Sequence, residues 1–172
     1  SAKAHSKNYT KEDSNYNEYL ANLLLDYSIN IKIKKFIFLS SIKVNGEITL
    51  ENNSFSEKSF TKTNDLYSTS KLSVENLIKE KLIKNNIEYY NIRTPLVIGA
   101  NVKGNLKSLI KLISYGLPLP LKDISNKRSF ITIADLIIIF DKIIYMKENK
   151  SGLYLACNSI PLSTSNLVDI IN

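Results

Sequence analysis

Ser41, Tyr67 and Lys71 are residues whose types and spacing suit a definite chemistry. Tyr67 and Lys71 stand four apart, so on a helix their side chains share one face. A phenol with an ordinary pKa near ~10 is a poor base at neutral pH. An ammonium group beside it favours the phenolate and lowers that value. A serine hydroxyl at a strand end can hold the same substrate oxygen. Together they can take a proton from an alcohol while a hydride leaves its carbon, which is general-base catalysis by a tuned group. The spacing alone carries little weight. With ten tyrosines and 23 Lys and Arg in 172 residues, about one Tyr-x-x-x-Lys pair arises by chance. The bland alternative is a helix whose tyrosine packs and whose lysine is solvated, so context has to decide.

The surrounding elements supply that context. Apolar residues recur at helical spacing from Asn15 to Ile31: Tyr16, Leu20, Leu23, Leu24 and Tyr27. The run Lys35–Ser40 is apolar on both faces and reads as a buried parallel strand ending in serines. A polar loop over 42–64 follows, containing Gly46, and long loops in compact domains are often functional. Asp65 to Asn86 reads as a helix capped by Asp65, with Leu72, Val74, Leu77, Ile78 and Leu82 at its apolar positions. Ile87–Arg93 is a second strand, stopped by Thr94-Pro95. Further on come a helix over Asn105–Tyr115 ended by Gly116, a short strand over Arg128–Thr132, a helix over Ala134–Lys147, a strand over Gly152–Cys157 and a last helix from Ser163 to Ile171. Alternating strands and helices predict an α/β fold with a parallel sheet covered on both faces. In such sheets ligands gather at the carboxyl ends of strands. Ser40, Ser41, Thr94 and Pro95 lie at such ends.

Composition narrows the function classes. The net charge of +7 comes from lysines spread along the chain, with no basic block interleaved with aromatics, so nucleic-acid binding is not expected. One cysteine, Cys157, and one histidine, His5, exclude an internal disulfide and argue against a structural zinc site. Cys157 is expected to pack within its strand, and His5 to be an ordinary polar residue. The longest apolar run, Ile131–Tyr145, is interrupted by Asp135 and Asp141 and is too short to span a bilayer. No membrane association is expected, and a cytoplasmic location fits the cysteine usage.

Several segments together resemble the NAD-dependent epimerase/dehydratase family of extended short-chain dehydrogenases/reductases. They are FIFLSSIKVNGE (36–47), YSTSKLSVENLI (67–78), NIRTPLVIGANVKGNL (91–106), KRSFITIADL (127–136) and GLYLACNSIPLSTSNLVDII (152–171). They follow in family order with family-like spacing, which is far more specific than any one of them. The resemblance implies a partial Rossmann-like, doubly wound parallel sheet. Residues 1–100 would be the C-terminal half of an NAD-binding domain, and 101–172 a substrate-binding region intertwined with it.

The resemblance also implies roles. Ser41 would orient a sugar 4-hydroxyl, Tyr67 would be the base and acid, and Lys71 would bind the nicotinamide ribose and tune Tyr67. Lys3, Asn17 and Pro95 would line the cofactor, NAD or alternatively NADP. Val44, Asn105, Leu106, Pro120 and Arg128 would hold the nucleotide-sugar. An arginine suits phosphate because its planar fork bonds oxygens in pairs. The implied substrate is a UDP-sugar. A homodimer through the helices at 15–31 and 65–86 is a further implication.

The chain departs from the family pattern in ways that matter. Its five glycines, at 46, 99, 104, 116 and 152, cannot form a glycine-rich dinucleotide fingerprint. The expectation is a fragment lacking the first strand–helix units, inactive alone, with the Phe36–Leu39 strand left as an apolar edge. A second chain supplying the missing half is an alternative. The positions after Ser41, where 4,6-dehydratases carry acids, are Ile42 and Lys43, which argues against dehydration. Asn45 replaces a family-typical tyrosine before Gly46, and Leu96 stands where many epimerases have a polar residue. Ser-Ile-Lys-Val-Asn-Gly (41–46) and Pro-Leu-Pro-Leu (118–121) are similar to C4-epimerases and 4-keto-sugar reductases of surface-polysaccharide synthesis. Both activities stay open, beside a non-catalytic half-enzyme that acts as a binding module.

Overall fold

Two helices of the chain end in the same way, and each ending turns the backbone directly into a strand. In the computed structural model, which describes residues 9–49, 53–99, 108, 111, 112, 114, 115, 126–158 and 160–166, α1 spans Lys11–Asn30 and α2 spans Leu66–Lys84. Past each helix one residue sits in the left-handed region, Lys32 (φ 53) and Asn86 (φ 55). The amides of Lys32 and Ile33 bond the carbonyls of Ile29 and Ser28. Those of Asn86 and Ile87 bond Ile83 and Leu82. These paired bonds satisfy carbonyls that a helix end leaves orphaned. Ile33 and Ile87 then enter the core, and β1 (Lys35–Ser41) and β2 (Glu88–Thr94) follow at once.

The starts of the two helices match as well. Thr10 and Asp13 form a reciprocal capping box on α1, and Asp65 and Ser68 form one on α2. Asp65 is the cap read from the sequence. Thr10 was not, which is why α1 begins four residues earlier than its apolar periodicity alone indicates.

The strands β1, β2 and β5 (Gly152–Leu155) make a three-stranded parallel sheet in the order β1-β2-β5. β2 is central and almost wholly buried, whereas β1 is the outer strand among the described residues and is mostly half-buried. The strand expected at 35–40 is parallel and at the edge of the described sheet, as expected, but only half-buried rather than buried. The register sets Ser41 opposite Thr94, so both strands finish at one level. Lys35, at the other end of β1, donates to the carbonyls of Ile143 (2.7 Å), Ile144 (3.2 Å) and Met146. A cation there suits the negative end of a helix dipole, here that of α3 (Ile133–Tyr145).

Leu25 of α1, Val74, Ile78 and Leu82 of α2, and Ile87 and Tyr89 form one buried cluster. Each such side chain contributes about 1.5–3 kcal/mol when fully buried. The buried side of α1 is Asn17, Leu25 and Ser28, with Ala21 and Ile29 packed beside them. Tyr16, Leu23, Leu24 and Tyr27, part of the apolar stripe read from the sequence, are exposed. The helix carries two stripes, and only one of them meets α2 and the sheet.

By contacts the described chain forms two units: 1–94 with 140–156, and 95–139 with 157–172. In the second unit β3 (Leu96–Ile98) pairs in parallel with β4 (Phe130–Thr132). β3 was not foreseen, because Pro95 reads as a stop; the chain bends there and resumes as a strand of a different sheet. Arg128 and Leu162 form an isolated antiparallel bridge. Thr132 caps α3 by accepting from the Asp135 amide (3.0 Å) while donating to its carboxylate (2.7 Å). Cys157, expected inside a strand, lies just past β5 and is exposed.

Candidate active site

The carboxyl end of β1 and the first turns of α2 bring Ser41, Tyr67 and Lys71 together within the first unit. Ser41 ends the strand, and its hydroxyl accepts from the Lys43 amide (3.3 Å), starting a 3-10 turn over Ile42–Val44. Gly46 closes that turn at φ +127, a backbone conformation that side chains strain. Lys43 reaches back to Asp65, the cap of α2, at 3.1 Å. That ion pair ties the serine turn to the start of the helix that carries Tyr67.

The Ser41 side chain acts on the Tyr67 phenol, favouring its ionised form. Lys71, one turn further on, donates to the Leu39 carbonyl (2.9 Å) and lies over the rings of Phe38 (4.6 Å) and Tyr67 (5.8 Å). The helical spacing therefore does set both side chains on one face beside the strand end.

Electrostatics correct one expectation. Burial pushes the Tyr67 phenol above its ordinary value of 10.0, and Tyr9 and Asp65 push it the same way, against the Ser41 side chain. The ammonium of Lys71 is itself disfavoured by burial, which lowers its pKa against the pull of Glu75. The phenol's pKa is thus moved upward by burial, where the lysine beside it was expected to lower it. Desolvation penalises both charged forms, and the lysine is bonded to a backbone carbonyl. The carboxyl of Asp65 is pushed up by burial but held below the usual carboxylate range by its bonds to Ser68 and Lys43.

Other anticipated residues fall variously. Asn17 is buried in α1 and donates to the hydroxyl of Tyr9 (2.8 Å), whose ring meets that of Tyr67 edge-on at 5.5 Å and 86°. Such aromatic pairs contribute about 0.5–1.5 kcal/mol beyond area burial. Val44 is fully buried and its carbonyl accepts from the Lys62 amide (2.9 Å). Pro95 and Arg128 belong to the second unit, and Arg128 is exposed. Lys3, Asn105, Leu106 and Pro120 lie outside the described residues, as does His5.

Two features escaped sequence reasoning. One is Tyr9. The other is a buried polar network behind Ser41, in which Arg93 bonds both carboxylate oxygens of Glu75 (3.0 and 2.6 Å) and the Asn45 carbonyl oxygen (2.9 Å). Ser40 donates to the same carboxylate, and Asn91 donates to the Glu75 backbone carbonyl (3.2 Å). Asn45, the residue that replaces a tyrosine, also donates to the Ser59 carbonyl (3.4 Å) and so pins the polar loop. The available signal was the spacing itself: Glu75 lies four past Lys71, on its helical face.

A sequence model described as the NAD dependent epimerase/dehydratase family matches residues 1–155. The chain belongs to that family. It is 34% identical over 146 residues to a UDP-glucose 4-epimerase of Vibrio cholerae, a match covering 84% of this chain and 44% of the relative. Its fold superposes on a UDP-N-acetylglucosamine 4-epimerase from Bacillus cereus with a TM-score of 0.82 at 21% identity, over 100% of this chain and 59% of that one. A UDP-glucuronic acid 4-epimerase from the same organism, in complex with NAD, gives 0.83 at 23% identity, over 98% and 55%. The chain spans about half the length of these epimerase/dehydratase relatives. The expected α/β, Rossmann-like class holds, with parallel strands and covering helices.

Among the described residues no helix is long and apolar enough to cross a membrane. No group of three metal-ligating side chains occurs among them either.

Proposed function

We propose that this chain carries the acid–base half of an enzyme that interconverts a UDP-hexose or UDP-N-acetylhexosamine at C4 through a 4-keto intermediate. The reading rests on one observation: Tyr67 and Lys71 share the face of α2 beside the end of β1, the Lys71 ammonium lying 5.8 Å from the Tyr67 ring and bonding the Leu39 carbonyl, with Ser41 at that strand end acting on the Tyr67 phenol. Tyr67, as the phenolate left after its own proton has gone to solvent, takes the proton of the 4-hydroxyl and returns it after the sugar has presented its other face. Ser41 holds the same oxygen and keeps it on the phenol. Lys71 supplies positive charge beside the phenol, which favours the proton's departure from the sugar. Relatives named as 4-epimerases of UDP-glucose, UDP-N-acetylglucosamine and UDP-glucuronic acid support this reading.

NAD suits the donor set. An ammonium and two hydroxyls, from Lys71, Ser41 and Tyr67, match the hydroxyl-rich ribose of a nicotinamide nucleotide. Lys71 is the residue of this unit that would hold it. When bound, it accepts and returns hydride at the sugar carbon. The pyrophosphate cradle of the family, a glycine-rich turn, is not among these 172 residues.

The test is incubation of the complete protein containing this chain with UDP-N-acetylglucosamine and NAD, followed by chromatography for the C4 epimer. Formation of the epimer, abolished by Tyr67→Phe, is the expected result. No epimer together with turnover of a 4-keto UDP-sugar would replace epimerisation by one-way reduction. Neither activity would leave only a binding role.

A further inference from the structure

Tyr9 touches the centre of the site without belonging to the set that the sequence singled out. It stands just before the capping residue of α1, and the Thr10–Asp13 box fixes the angle at which the chain enters that helix. The Tyr9 hydroxyl accepts from the amide of Asn17, two turns into α1 and itself buried. Its ring meets the ring of Tyr67 edge-on at 5.5 Å and 86°. Ser41, at the end of β1, acts on the same phenol. Asn17, Tyr9 and Tyr67 thus link α1 to the catalytic face of α2.

We propose that Tyr9 is a positioning residue for Tyr67: anchored to Asn17 by its hydroxyl, it braces the Tyr67 ring so that the reactive hydroxyl stays beside Ser41. This deepens the function proposed above and rests on it. The physical ground is rotational. The ring of Tyr67 can swing about its first side-chain bond between staggered positions. A second ring packed edge-on, and itself pinned by a hydrogen bond, removes that freedom. A reactive group displaced by about 1 Å loses up to about a hundredfold in rate, so a brace of this kind acts on turnover rather than on substrate affinity. Among the described residues the charged and titratable groups acting on Tyr67 include Tyr9, Asp65 and Lys71, with Glu75 acting on Lys71.

Tyr9→Leu and Tyr9→Phe, each prepared with and without Tyr67→Phe, test the assignment. Ultraviolet absorbance against pH follows phenol ionisation in this chain, and the difference made by Tyr67→Phe isolates the Tyr67 phenol. Tyr9→Leu is expected to move that ionisation to lower pH, because it admits water and removes a neighbouring phenol. Tyr9→Phe should move it the same way but less, since the ring stays. In the complete protein, Tyr9→Leu should lower kcat by about tenfold or more with KM within about twofold, and Tyr9→Phe should retain most of the rate. An unmoved Tyr67 ionisation in Tyr9→Leu overturns the proposal. So does a loss confined to KM. If Tyr9→Leu does not fold, by far-ultraviolet circular dichroism, Tyr9→Phe decides: an unmoved ionisation there overturns it too. Absence of turnover in the unmodified complete protein would defeat the proposed function alone, since the titration still reads the brace.

Discussion

Arg93 grips Glu75 from β2 to α2 with two hydrogen bonds, Nε to Oε1 at 3.0 Å and Nη2 to Oε2 at 2.6 Å, and their side chains are only 3% and 5% exposed. A pair of charges that deep is stable only because each neutralises the other and the remaining polar atoms are occupied. Asn45 and Ser40 occupy them here. Glu75→Met or Arg93→Met leaves one charge buried without its counterpart. Each single variant should cost about 3–5 kcal/mol in urea unfolding. The double variant Glu75→Met/Arg93→Met should cost less than the two singles added. Additive losses would show that the pair does not act as a unit.

Removing one hydroxyl from the site should cost rate and not fold. Tyr67→Phe keeps the ring, and with it the edge-on contact to Tyr9. In the complete protein it should lower turnover by about 10²–10⁴-fold, the usual contribution of a positioned acid–base group. Ser41→Ala should cost less, since the phenol remains. Thermal unfolding of both should stay close to that of the parent. A Tyr67→Phe protein with full turnover would remove Tyr67 from the chemistry.

Alkaline stability should track Tyr90, which is fully buried in β2. Burial, together with its hydrogen bond to Glu88 (2.7 Å), pushes its phenol from 10.0 to about 12. The folded state therefore holds this proton more tightly than the unfolded chain does. Its contribution is full below pH 10 and is lost as the pH climbs toward 12. Denaturant midpoints measured across that window should fall for the parent and fall less steeply for Tyr90→Phe, which has no proton to release. Parallel curves would count against the assignment.

Asp65 serves two purposes that substitution can separate. It caps α2 and pairs with Lys43 at 3.1 Å. Asp65→Asn keeps an acceptor for the Ser68 amide and loses only the ion pair, a partly exposed one worth about 0–1 kcal/mol. Asp65→Ala also loses the cap and should cost about 0.5–2 kcal/mol more. Equal losses in urea unfolding would show that the cap carries nothing.

Much of this structure was legible before any coordinates. Local rules act over three or four residues, and the sequence obeys them: Asp65 capping α2, the shared face of Tyr67 and Lys71, the parallel strand ending in serines, and the helix–strand alternation that implies a covered parallel sheet. The same rules were silent wherever two apolar stripes compete, as on α1, where Leu25 is buried and Leu23 and Leu24 are not. Periodicity says that a helix has a face, and only its neighbours choose which face is covered. Pro95 was read as a stop because the rule is local, yet a bend there lets the chain join another sheet.

What the residues determined alone was thus the inventory: a serine at a strand end, a tyrosine and a lysine one helical turn apart, and a family-like order of segments. Only the tertiary structure decided who meets whom. Ser41 and Tyr67 stand 26 positions apart, with a polar loop between them, and they come to act on one another because Lys43 ties the start of that loop to Asp65, the cap of α2. Tyr9 reaches Tyr67, and Arg93 reaches Glu75, by the same packing of α1 and β2 against α2. That packing also buries the phenol and turns its pKa upward, a consequence of lost water that no spacing of residues can express.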